Sequence, residues 1–295
     1  MIGTDLASYQ NRTKFCNFQH INATVYEAVT LTPLGSATYS FKSAIEANGA
    51  AAVRVRHDIT RFQASGLGTV LTIEWSGQVL DSNSARTATL ADNSPSPTVD
   101  QIVTPSLAIG TVSEYSGIYM FNTKLGLKYS NPVFFGVTKP FRCDTVVKAT
   151  IGCVARGDAE LHISQTTAPA YRAHVQSAIA SGLPARLHLT TNESQRNANG
   201  TKACPKDGSL PRPAGLSCDE YPFRSTHEGA ASANGQAGGA RSFPDCQMPD
   251  PSKTGPLGFS RCFIPVGENS SGGQELGQMY ASQRVMDGDA FVVIA

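Results

Sequence analysis

The strongest constraint on the fold is the alternation of apolar and polar residues that recurs between residues 22 and 139. It is carried by Ala23-Thr24-Val25-Tyr26-Glu27-Ala28-Val29, Ala37-Thr38-Tyr39-Ser40-Phe41, Ala52-Val53-Arg54-Val55-Arg56 and Thr69-Val70-Leu71-Thr72-Ile73-Glu74-Trp75. A period of two places every second side chain on one face, which is the pattern of a half-buried strand. Further runs lie at 118–121, 125–129 and 133–137, and Gly, Ser, Asn and Pro punctuate them. Short strands with no helical stretch between them point to an antiparallel sandwich or barrel. Residues 76–105, rich in Ser, Thr, Asn, Asp and Pro, read as a long surface connection. His57 and Asp58, close to Arg54, Arg56 and Arg61, read as a solvated strand face with a turn.

A chain of 295 residues exceeds the usual span of one domain. Its 40% hydrophobic and 16% charged residues can build ordinary cores. The expected division is a β-rich domain over 1–142, a stapled hinge over 143–166 and a second domain over 167–295. Net charge is only +1, and residues 167–295 hold eleven Lys/Arg against eleven Asp/Glu, which argues against bulk electrostatic capture of nucleic acid.

The seven cysteines include no Cys-x2-Cys pair, which argues against structural zinc. Six fall into neighbouring couples, 143/153, 204/218 and 246/262, and sequential pairing is the expectation among 15 connectivities. Cystine staples imply an oxidising compartment and secretion. Cys16 is left over. No apolar run reaches the length of a membrane span. The start, Met1-Ile2-Gly3-Thr4-Asp5, lacks a charged and apolar leader, so residue 1 is expected to begin a trimmed chain. Five Asn-x-Ser/Thr sequons, at Asn11, Asn22, Asn192, Asn199 and Asn269, read as chance occurrences.

Beyond residue 166 the pattern changes. A helix is expected over 168–181, capped by Thr166 or Thr167 and stopped at Gly182-Leu183-Pro184, with His174 one step off its apolar stripe. Leu187-His188-Leu189-Thr190 reads as a strand entering a polar loop with Arg196, Asn197 and Lys202, either a phosphate-contacting rim or a plain exposed loop. Cys218-Asp219-Glu220-Tyr221-Pro222-Phe223 reads as a strand on which Asp219 and Glu220 face opposite ways. His227 and Glu228 follow, and residues 230–239 form a small-residue loop. Phe263-Ile264-Pro265-Val266 leads to Glu268-Asn269 and a helix over 273–285, and a strand over 290–294 closes the chain. Acids with an amide carbonyl suit a hard cation such as Mg²⁺ or Mn²⁺, whose open positions take water and phosphate. Asn269 beside a helix N-terminus would favour phosphate there, although it could equally be an ordinary N-cap.

Asp219-Glu220-Tyr221-Pro222-Phe223, Glu228-Gly229, Glu268-Asn269 and Asp287-Gly288-Asp289-Ala290-Phe291-Val292-Val293 stand in the order and at the separations of the NucA/NucB family of secreted bacterial deoxyribonucleases. Ala173-His174-Val175, Ala178-Ile179 and Gly182 resemble that family's first helix, so the likeness spans 167–295. Two places depart: Glu228-Gly229-Ala230 stands where members often carry Glu-Gly-Gly, and the excursion from Cys246 to Cys262 is longer than in compact members. With the strand pattern of the first part, the expected fold is an N-terminal all-β sandwich-like domain followed by a second domain, which the resemblance implies to be a small α+β nuclease domain with a central antiparallel sheet. It also implies a secreted, metal-dependent endonuclease that cleaves DNA without sequence preference. Asp219 is then the leading general base or metal ligand, and Glu228 and Asn269 complete the metal site. Glu220, His174 and His227 support catalysis, while Arg196, Asn197 and Gln274 contact substrate. Asp219→Asn and Glu228→Gln are expected to abolish activity. DNA is the expected partner, and no protein partner is evident. Two rival readings are a non-catalytic extracellular binding protein and a secreted ribonuclease or toxin effector.

Overall fold

The computed structural model describes residues 2–79, 86–90 and 99–295. It is mostly β, with several antiparallel sheets and few helices, and divides into two compact units, 1–157 and 158–295.

In the first unit, β1 (Ile2–Gln10), β2 (Lys14–Tyr26), β3 (Pro33–Glu46) and β4 (Val53–Gly66) form an antiparallel meander. A second sheet contains β5 (Thr72–Val79) and β6 (Arg86–Leu90), while β7 (Val99–Val103) returns to the edge of the first beside β4. β8 (Val112–Leu125), β9 (Lys128–Tyr129), β10 (Val133–Asp144) and β11 (Gly152–Ala155) complete the second sheet. The alternation read from sequence explains the core. Tyr39, Phe41 and Ile45 of β3 and Val53, Val55 and Ile59 of β4 share one buried cluster with Tyr119 and Phe121 of β8. Phe41 meets the Phe121 ring edge-on at 4.8 Å, and Ser43 Oγ lies 3.2 Å from Tyr119 Oη. His57 is 2% exposed and stacks on Phe41, so the solvated face expected there is corrected: it occupies an inward position of β4. The expected connection over 76–105 is also interrupted, because β5 reaches Val79 and β6 and β7 fall within it. Within that stretch, 80–85 and 91–98 lie outside the described residues.

All three disulfides pair sequentially, Cys143–Cys153, Cys204–Cys218 and Cys246–Cys262, and Cys16 is free. Residues 143–166, read from sequence as a hinge, divide between the units. Cys143–Cys153 clips β10 to β11 at directly paired positions, and β12 (Ala159–His162) is already part of the second unit.

The second unit follows with α1 (Pro169–Ala180), β13 (Arg186–His188), α2 (Glu193–Ala203), β14 (Leu216–Tyr221), α3 (Ala233–Gly238) and β15 (Ala240–Arg241). β16 (Phe259–Pro265), α4 (Val266–Ser282) and β17 (Ala290–Ile294) end the chain. In place of one central antiparallel sheet there are two three-stranded mixed sheets, β12-β17-β13 and β14-β16-β15. Each has one parallel pair, β12 with β17 and β15 with β16. Among the described residues no helix is long and apolar enough to cross a membrane.

Candidate active site

The site is assembled on β14. This strand pairs antiparallel with β16, placing Asp219 opposite Cys262, Glu220 opposite Arg261 and Tyr221 opposite Ser260. Burial along the strand does not alternate strictly, and Asp219 and Glu220, expected to face opposite ways, both line one cleft. Cys218, Asp219 and Tyr221 are buried, Cys218 is tied to the end of α2 through Cys204, and Glu220 is half-buried.

Helix α1 buries Tyr171, His174, Val175 and Ala178, residues at helical spacing. That face brings His174 Nδ1 to 2.6 Å from Asp219 Oδ2 and Nε2 to 2.9 Å from Ser260 Oγ. A carboxylate can only accept, so His174 Nδ1–H donates this hydrogen bond to Asp219. With its ring enclosed, His174 holds Asp219 in place and is shielded from solvent.

Helix α4 supplies the facing wall. It begins at Val266, seven residues before the expected start, so Glu268 and Asn269 lie in its first turn. The Glu268 carboxylate accepts from Ala170 N and caps α1, a role expected of Thr166 or Thr167. Asn269 Nδ2 donates to Ser217 Oγ at 2.9 Å and to Cys218 O at 3.2 Å, which locks the amide against β14 and turns Oδ1 away from both. Gly272 lets the helices approach: a Cβ there would lie 2.4 Å from the Tyr171 ring.

Between α4, β14 and α2 lies an open cleft of about 280 Å³, lined by Asp219, Glu220, Asn269, Arg196, Arg224 and Tyr280 among others. Gly273 and Gly277 leave its helical wall bare. Burial, helped by the neighbouring Asp219 charge, pushes the Glu220 carboxyl up to about 7, and the Arg224 backbone N–H and guanidinium oppose that rise. Glu220 can therefore exchange a proton near neutrality. Burial also raises the Tyr171 and Tyr280 phenols, and Tyr280 Oη lies 3.0 Å from Ser225 Oγ. Arg224 Nη2 donates to Asn197 Oδ1 at 2.8 Å, so Asn197 orients a cation at the cleft.

Other expected site residues lie elsewhere. Glu228 does not join Asp219, because its Oε1 is 2.7 Å from His188 Nδ1 and its Oε2 accepts from His188 N at 3.0 Å. The bridge between Leu189 and Thr226 draws this segment onto the end of β13. His227 is exposed, and its backbone N–H donates to His188 O at 2.9 Å. Gln274 is exposed on α4 and does not line the cleft. The polar loop expected around Arg196 is the helix α2, whose N-cap Asn192 accepts from Gln195 N at 3.1 Å. The sequence reading missed Arg224, Ser260 and Tyr280. Arg224 sits just past the acidic strand and was open to notice, whereas no spacing links Ser260 to His174.

Among the described residues no group of three His, Cys, Asp or Glu side chains forms a metal cage. Among the cleft's oxygen donors are two carboxylates, Asp219 and Glu220, and the Asn269 amide. This set fits a hard divalent cation that keeps several waters.

The sequence model of the Deoxyribonuclease NucA/NucB family matches residues 175–294. The match covers the C-terminal part of the chain, including α2, β14, β16 and α4, and supports a nuclease there with DNA as its substrate. A comparison with curated proteins found no match.

Proposed function

We propose that the second unit is a metal-dependent endonuclease that hydrolyses DNA without reading its sequence, and that the protein works outside the cell. The observation that carries this reading is the convergence of Asp219, Glu220, Asn269 and two arginines on one open cleft. Asp219 and Asn269 would hold Mg²⁺ or Mn²⁺. When bound, the ion neutralises phosphoryl charge and lowers the pKa of its water.

The chain's own groups account for the remaining chemistry. Arg196 and Arg224 orient the phosphodiester, contacts that position a strand without reading its sequence. Glu220 accepts a proton from the attacking water, a role suited to a carboxyl that titrates near neutrality. His174 positions Asp219 without touching substrate. Three disulfides and the absence of a membrane-length helix among the described residues fit an extracellular enzyme.

Plasmid and RNA digestion with and without EDTA tests the proposal. DNA is expected to be cut only with added divalent ion, and more readily than RNA. Equal DNA cleavage in EDTA would remove the metal from the reading, while no cleavage under any metal would remove the activity.

A further inference from the structure

Beside the cleft lies a second cavity of about 600 Å³, and Glu220 and Arg224 line both. It adds two exposed cations, Lys206 and Arg212. Arg212 Nη2 donates to Cys204 O at 3.2 Å and Pro205 O at 3.3 Å, while Arg261 Nη1 donates to Ala203 O at 3.1 Å. Three carbonyls at and just past the end of α2, which would otherwise repel an anion, are thereby covered. Asp207, the cavity's other acid, has Oδ1 turned onto Ser209 N and Oγ at 2.9 and 2.5 Å. The Cys204–Cys218 disulfide braces the floor. Among the described residues no aromatic side chain lines this cavity, whereas Tyr171, Phe223 and Tyr280 line the cleft.

We infer that this cavity is a backbone-holding subsite that grips the nucleic-acid strand on one side of the bond being cut. The inference rests on the phosphodiesterase reading of the adjoining cleft. Lys206 and Arg212 engage the flanking phosphates, and Arg224 bridges from those phosphates to the scissile one. Without an aromatic platform the subsite holds charge and does not stack bases, so it binds any sequence. A substrate must extend past the cleavage point to use it.

The test is the salt dependence of KM and kcat on single-stranded oligothymidylate with Mg²⁺, for wild type, Lys206→Gln and Arg212→Gln. Each variant is expected to raise KM by roughly three- to tenfold with kcat within about twofold, and to flatten log KM against log salt by about 0.7 per lost phosphate contact. Melting temperatures report folding. Should Arg212→Gln fail to fold through loss of its carbonyl contacts, the exposed Lys206→Gln carries the test alone. Folded variants with wild-type KM and an unchanged salt slope would overturn the subsite while leaving the cleft's activity standing. A wild-type protein that cleaves no DNA would overturn both.

Discussion

Asp219 and Glu228 are both acids of the recognisable motif, and the structure gives them different neighbours. Asp219 is clamped by a buried histidine at the wall of the cleft, and Glu228 is spent on His188. Asp219→Asn is therefore expected to lower kcat by at least about a hundredfold, the scale of removing a group that acts at the reacting phosphate. Glu228→Gln is expected to stay within about tenfold of wild type, because the amide oxygen can still accept from His188 N. Steady-state cleavage of the two variants checks this, and equal losses would place Glu228 back in the site. His57 gives a residue-scale expectation in the other unit. Burial lowers its imidazole to about 4, and the Asp58 charge only partly offsets that. The unfolded chain then binds a proton that the folded one refuses, so stability is fully present above the ordinary histidine pKa of about 6.5 and falls as pH drops toward 4. From pH 7 to pH 5 the loss is about 2 kcal/mol. Denaturant melts at the two values measure it, and His57→Leu is expected to remove most of this difference.

The elements show why some of the site was legible and some was not. β14 announced itself through Cys218 to Phe223 and ended near where the sequence placed it. α1 was readable from its apolar stripe, and its observed bounds lie within one residue of the expected ones. α2 has no such stripe: its buried residues are Asn199 and Ala203, so only the Asn192 cap and Gln195 marked a helix. Glycines at 267, 272 and 273 hid the start of α4, since glycine disfavours helix interiors. Gly272 is nevertheless required by contact. Gly272→Ala is expected to destabilise by about 1 to 3 kcal/mol through collision with Tyr171, against the usual stabilising sign of Gly to Ala in a helix. Chemical denaturation distinguishes the two signs. The motif's Gly229 has the same logic, because a Cβ there would lie 2.3 Å from Asn199 Nδ2, which donates to Arg224 O and Thr226 O. Asn199 is fully buried, so its sequon is a coincidence of composition.

At the scale of the molecule, the sequence foretold a β-rich first part and a mixed second part, and missed how the second part closes. β12, only four residues long, pairs parallel with the final strand β17 although more than a hundred residues separate them. Local pattern carries no trace of such a pairing, which depends on what the chain between them builds. The cystines were more legible, since near neighbours can bridge only where strands or loops return quickly. Replacing Cys204 and Cys218 by serine is expected to cost about 3 kcal/mol, read as a lowered melting temperature. It is also expected to weaken DNA binding by loosening β14 from α2. The central claim is that Asp219 and Asn269 hold one divalent cation at the cleft. Crystals soaked in Mn²⁺ and measured at the manganese absorption edge test it most directly. The account requires an anomalous peak within coordination distance of an Asp219 carboxylate oxygen and Asn269 Oδ1. A peak at Glu228 and His188 instead, or none in the cleft at saturating Mn²⁺, would contradict it.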